Sequence, residues 1–105
     1  MLMIEIRETE TFSKWLVALR DIVARSRIVA RVQRLARGNA GDVRPVGAGI
    51  SELRIDHGPG YRVYFVQRGA VLIMLLCGGA KSTQARDIRT AKSLLDDLKD
   101  DDNAS

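Results

Sequence analysis

Glu52-Leu53-Arg54-Ile55-Asp56-His57-Gly58-Pro59-Gly60-Tyr61-Arg62-Val63-Tyr64-Phe65-Val66-Gln67 is the stretch that decides the fold. Its first five residues alternate Leu53 and Ile55 with Glu52, Arg54 and Asp56, the two-residue period of a strand. Leu53 and Ile55 are expected inward and the charges outward. His57-Gly58-Pro59-Gly60 is a turn, in which Pro59-Gly60 suits the central positions of type II. Tyr61 to Gln67 is the returning strand. Arg68-Gly69 turns the chain again into Val71 to Cys77, whose nearly continuous apolar character predicts a central strand covered on both faces. Gly78-Gly79 is expected to end that strand.

Working outward, Met3 to Arg7 alternates Ile4 and Ile6 with Glu5 and Arg7 and reads as a short strand. Thr9 or Thr11 is placed to cap a helix, because a threonine oxygen accepts from free first-turn amides. Phe12, Trp15, Leu16 and Leu19 then fall on one helical face, so Trp15 reads as core. Arg20-Asp21 breaks the pattern. A second helix is expected from Ile22 to Arg37, with Ile28, Val29, Val32, Leu35 and Ala36 as its apolar stripe and Gly38-Asn39 as its stop. Ala40 to Ser51, with Gly41, Pro45, Gly47 and Gly49, reads as a loop. After Gly78-Gly79, Ser82 or Thr83 caps a last helix whose apolar face is Ala85, Ile88, Ala91, Leu94, Leu95 and Leu98. The predicted order is β-α-α-β-β-β-α. This is an α+β domain, a small and mainly antiparallel sheet with helices packed on it. The domain covers residues 1–99, and residues 100–105, with Asp100, Asp101 and Asp102, form a polar acidic tail.

The chain has 105 residues, enough for one domain with a modest core. Its longest apolar run, Ala70 to Cys77, is far short of the roughly 18 residues a membrane helix needs. Met1-Leu2-Met3-Ile4-Glu5 lacks the basic head and apolar stretch of an export signal, so a cytoplasmic location is expected. A single cysteine, Cys77, and a single histidine, His57, argue against a disulfide framework and against a metal or other cofactor site. The net charge of +4 is compatible with a polyanionic partner.

The candidate chemistry lies in the second half. Arg54 shares its strand face with Glu52 and Asp56, and Arg62 shares its own with Tyr64. Lys81 falls where a central strand hands over to a helix, a place where anions bind well. Antiparallel pairing brings Arg54, Arg62 and Lys81 toward one surface. Such a surface suits cleavage of RNA, whose 2′-hydroxyl is an internal nucleophile needing a base, an acid and cations on the phosphorane. The arginine fork bonds two phosphate oxygens at once. Lys81 serves as a clamp, or as a base if its surroundings lower its pKa. His57 and Tyr64 are weaker catalytic candidates. Arg31, Arg34 and Arg37 on the second helix, together with Lys81, are candidates for RNA phosphates. Gly78-Gly79-Ala80-Lys81-Ser82-Thr83 approaches the end of a phosphate-binding P-loop. It fails because Ala80 and Leu75 stand where that motif requires glycine.

Taken in order, four blocks resemble the HigB-like addiction-module-killer branch of the RelE/ParE toxin superfamily. They are Arg34 to Asp42, Glu52 to Ile55, Gly58 to Phe65 and Leu75 to Gln84. The Trp15-Leu16 helix and Arg86-Asp87-Ile88 fit as well, so the resemblance spans about Ile4 to Leu98. It implies the toxin of a type II toxin–antitoxin pair, a metal-independent mRNA endonuclease acting on the ribosome. An alternative within the same superfamily is a ParE-like poison that binds gyrase without chemistry, and another is an inactive antitoxin-binding module. The implied partners are a helix-turn-helix antitoxin, the ribosome and mRNA, with no membrane and with a monomeric free toxin. The RelE-like pattern falls on Arg54, Arg62 and Lys81, and less firmly on Tyr64 and His57. The branch often has aspartate where Ala80 stands and an aromatic where His57 stands. After Phe65 there is no aromatic or histidine to act from the C-terminal segment, which leaves the general base and acid open.

Overall fold

Capping chemistry sets the helix ends in the computed structural model, which describes residues 4–104. The Thr9 hydroxyl accepts from the Phe12 amide at 3.1 Å and opens α1 (Glu10–Ala18). Asp21 does the same for α2 (Ile22–Ala36), accepting from the Ala24 amide at 3.1 Å. At the end of α2 the Gly38 and Asn39 amides donate back to Leu35 and Arg34, with Gly38 at φ +84°. This is the paired closure that glycine favours. Met3, assigned from sequence to the first strand, lies outside the described residues.

The strands are β1 (Glu5–Glu8), β2 (Val43–Gly47), β3 (Ile50–Ile55), β4 (Tyr61–Arg68) and β5 (Leu72–Ala80). They form one sheet in the order β1-β5-β4-β3-β2. β1 runs parallel to β5, and the remaining pairs are antiparallel. A 3-10 turn at Lys81–Thr83 leads into α3 (Gln84–Ala104). The protein is therefore a small α+β fold with a five-stranded mixed sheet and three helices.

Both sheet faces are covered. On one, Phe12, Ile28 and Leu35 from α1 and α2 pack with Leu53, Ile55, Val63, Phe65, Ile73 and Leu75. On the other, Ala91 and Leu95 of α3 pack with Ile50, Tyr64, Val66, Leu76 and Cys77. A bulge in β5 opposite Tyr64 and Phe65 lets the adjacent Leu76 and Cys77 join the same cluster.

Several sequence expectations are corrected. The stretch read as a loop contains β2, an edge strand paired to β3. An edge strand tolerates Pro45, whose missing N–H need not face a partner. Gly78 and Gly79 do not end β5 but lie within it, opposite Val63 and Arg62. A side chain at Gly78 would collide with the Trp15 ring, and one at Gly79 would collide with Asp87. The glycines thus admit close packing from opposite faces. Val29 of the expected α2 stripe is exposed, retaining 41% of its accessible surface. The β3–β4 turn is closed by the Gly60 amide donating to His57 O at 3.0 Å, so its central residues are Gly58 and Pro59, one step earlier than expected. The backbone of α3 runs on through residues 100–104. No helix among the described residues is long and apolar enough to cross a membrane.

Candidate functional site

The largest departure from the sequence reading concerns the charged face of β3 and β4. α3 begins over this face, so its charges do not all reach solvent. Glu52 retains 2% of its accessible surface and Arg62 5%. Arg54 is half-buried.

Register places these side chains in a compact block. Glu52 pairs with Tyr64, and Arg54 pairs with Arg62, across the β3–β4 ladder. Glu52 Oε2 accepts from the Tyr64 hydroxyl at 3.1 Å and from Gln84 Nε2, at the start of α3, at 2.7 Å. Its other oxygen, Oε1, lies 3.5 Å from Arg54 Nε and 3.9 Å from Arg62 Nε. Both Nε atoms are buried and neither has a hydrogen-bond partner. An unsatisfied buried donor costs about 1–3 kcal/mol, a strain typical of functional sites. Burial, followed by the charge and hydrogen bond of Glu52, pushes the Tyr64 hydroxyl well above its ordinary pKa of 10.0. Tyr64 is therefore a neutral donor throughout the physiological range.

Arg54 and Arg62 line an open cleft of about 270 Å³ together with Lys81, Asp42, Asp56, Ile55 and Gly60. The Lys81 amide donates to Gly60 O at 2.7 Å, which ties the start of the 3-10 turn to the β3–β4 turn. The Lys81 side chain is exposed. Beneath this corner Trp15 meets Tyr61 edge-on at 6.3 Å and covers Gly78. Asp87 of α3 is buried against Gly79 and accepts from Thr83 Oγ1 at 2.5 Å. Thr83 thus anchors the first turn of α3 through Asp87. Ser82 and Thr83, the two residues expected to cap the last helix, lie in the 3-10 turn that leads into it.

Three of the five residues put forward as catalytic, Arg54, Arg62 and Lys81, therefore meet at one cleft. Tyr64 does not reach it: its ring is fully buried under α3 and its hydroxyl is spent on Glu52. His57 is also turned away, with Nε2 3.1 Å from Asp21 Oδ2 at the head of α2. Arg31 is engaged within the fold, donating to Arg54 O at 2.8 Å and Ala40 O at 3.2 Å. Arg34 on α2 and Arg37 just past its end are exposed and do not line the cleft. Sequence reasoning missed Glu52, Gln84 and Asp87 as parts of the site. The signal for Glu52 was present, since the two-residue period puts it on the Arg54 face, but its burial depends on where α3 lands.

The phage-derived protein Gp49-like family (DUF891) matches residues 14–97, and the chain belongs to that family. It is also 52% identical over 95 residues to an uncharacterized protein of Haemophilus influenzae, covering 90% of this chain and 96% of that one. The matched segment holds the second half of α1, all of α2, the whole β2–β5 meander and most of α3, and so contains the cleft and every residue beneath it.

Proposed function

We propose that this protein is the toxin of a type II toxin–antitoxin pair and cleaves mRNA on the ribosome, with the Arg54–Arg62–Lys81 cleft as its phosphate site. Membership of the Gp49-like family, a toxin-like family of the HigB/RelE type, supports the toxin role. The observation that carries the chemistry is the convergence of Arg54, Arg62 and Lys81 on one cleft over a buried carboxylate.

In this reading the 2′-hydroxyl oxygen attacks the adjacent phosphorus and the bond to the 5′-oxygen breaks. The products are a 2′,3′-cyclic phosphate and a 5′-hydroxyl end. Arg54 and Arg62 bind the non-bridging oxygens as charge builds on the phosphorane. Lys81, exposed at the rim, supplies the third cation beside the leaving oxygen. The 2′-hydroxyl proton goes to a carboxylate of the cleft, Asp42 or Asp56, and the departing 5′-oxygen takes its proton from water. A helix-turn-helix antitoxin is the proposed neutralising partner.

Purified ribosomes programmed with a defined mRNA test this reading. Cleavage within the occupied A-site codon, lost in Lys81→Ala, is the expected result. Intact mRNA with the wild-type protein would refute it, and gyrase-dependent DNA breaks in a parallel assay would establish the ParE-like alternative.

A further inference from the structure

We propose that Glu52 is the positioning residue of the phosphate clamp, setting the poses of Arg54 and Arg62 without touching substrate. This inference rests on the reading of the cleft as a phosphate site and adds a residue to it.

Arg54 and Arg62 are directly opposed across an antiparallel ladder, an arrangement in which like charges repel. Two guanidinium groups so placed need a nearby anion. Glu52 is that anion. It lies two residues from Arg54 on the same face of β3 and diagonally across from Arg62. Its Oε1 is within ion-pair range of the Nε of both. Contact through Nε leaves the Nη groups of each fork for a phosphate.

The carboxylate is itself held from behind. Tyr64, on the neighbouring strand, and Gln84, on the first turn of α3, both donate to Oε2. These two contacts fix the rotamer of Glu52 and turn Oε1 toward the arginines. The chain of support therefore runs from α3 and β4, through Glu52, to both clamp residues. Glu52 is too buried to meet an RNA strand, and a buried carboxylate facing a phosphate would repel it. Its place is behind the cations, where its charge orients them. A site held within a fraction of an ångström by such supporting contacts retains its rate, and its loosening does not.

The test combines a double-mutant cycle with a spectroscopic readout. In the ribosome assay, Glu52→Gln keeps the volume but removes the charge, and is expected to lower cleavage on the order of 100-fold. Arg54→Ala is expected to lower it comparably, and the double variant to be no worse than the poorer single one. Multiplying losses, or full cleavage by Glu52→Gln, would overturn the inference.

The second readout needs no activity. The Nε–Hε NMR signals of Arg54 and Arg62, both from buried atoms, are expected to shift and to exchange faster in Glu52→Gln, with the rest of the spectrum preserved. Unchanged signals in a folded Glu52→Gln would refute the role of Glu52. This holds even if the wild-type protein cleaves nothing, an outcome that refutes the nuclease reading alone. Should Glu52→Gln fail to fold, Tyr64→Phe decides, since it removes one donor to Oε2 and keeps the ring. It must perturb the same two signals, and no effect on either would overturn the inference.

Discussion

Arg54 on β3 and Arg62 on β4 are direct cross-strand partners, and Glu52 Oε1 lies 3.5 Å from the Nε of the first and 3.9 Å from that of the second. Two like charges in register are stable here because a buried carboxylate sits beside them. The same carboxylate makes the three cations of the cleft unequal in what their removal does to the fold.

Lys81 can be truncated without structural loss. Its side chain is exposed, and its contact with Gly60 is made by the main chain. Lys81→Ala is expected to abolish growth arrest with stability within about 0.5 kcal/mol of wild type. Thermal melting alongside a toxicity assay checks both halves.

Arg62 behaves differently. Removing it leaves Glu52 buried with one cation fewer, and breaking a buried pair typically costs about 3–5 kcal/mol. Arg62→Ala is therefore expected to lose toxicity and stability together, seen as a reduced midpoint in urea unfolding. A midpoint equal to that of wild type would mean that the Glu52 contact contributes nothing.

The glycine pair in β5 gives a packing prediction. Gly78→Ala places a methyl group in the Trp15 ring, and Gly79→Ala places one in the Asp87 carboxylate. Each is expected to cost about 1–3 kcal/mol, the usual range for overpacking. Gly78→Ala should be partly relieved by Trp15→Leu, because the smaller side chain vacates the space. Melting temperatures of the singles and the double decide this.

Cys77 is buried, and desolvation, with the Asp87 charge adding to it, pushes its thiol up to about 12. A thiol with so high a pKa is protonated at pH 8 and poorly nucleophilic. Alkylation of the native protein at pH 8 should proceed only as fast as the protein unfolds, and added urea should accelerate it. Rapid labelling without denaturant would contradict the packing of Cys77 under α3.

The Asp21–His57 contact predicts a pH-dependent stability. The Ala24 amide, followed by the His57 hydrogen bond, holds the Asp21 carboxyl below its ordinary 3.8. A depressed carboxyl stabilises the fold above its unfolded pKa and loses that contribution as pH falls through the folded value. Asp21→Ala should therefore melt lower than wild type at pH 7, and the gap should close as the pH falls below 3.8. A gap that persists in acid would show that the loss comes from packing and not from the carboxylate.

The α+β class and most element ends were legible because they depend on neighbours in sequence. Thr9, Asp21 and Gly38 act on amides and carbonyls within a turn, and the alternation of Leu53 and Ile55 needs no tertiary information. β2 was hidden because Pro45 and its flanking glycines carry loop chemistry, and only pairing with β3 makes a strand of them. Gly78 and Gly79 misled for the related reason that a glycine kept for close approach looks like a glycine kept for a turn. Arg54, Arg62 and Lys81 could be grouped from strand period and turn position. The depth of Glu52 and Tyr64 could not, because a charged strand face reads as solvated until α3 covers it. Arg31 looked like one of several surface arginines, and its carbonyl contacts exist only once α2 lies beside β3.

The most direct test of the central claim is primer extension on an abundant mRNA after induction of the wild-type protein and of Lys81→Ala. Discrete new 5′ ends inside coding sequence are expected with the wild-type protein and none with Lys81→Ala. Growth arrest with every transcript intact would contradict that claim.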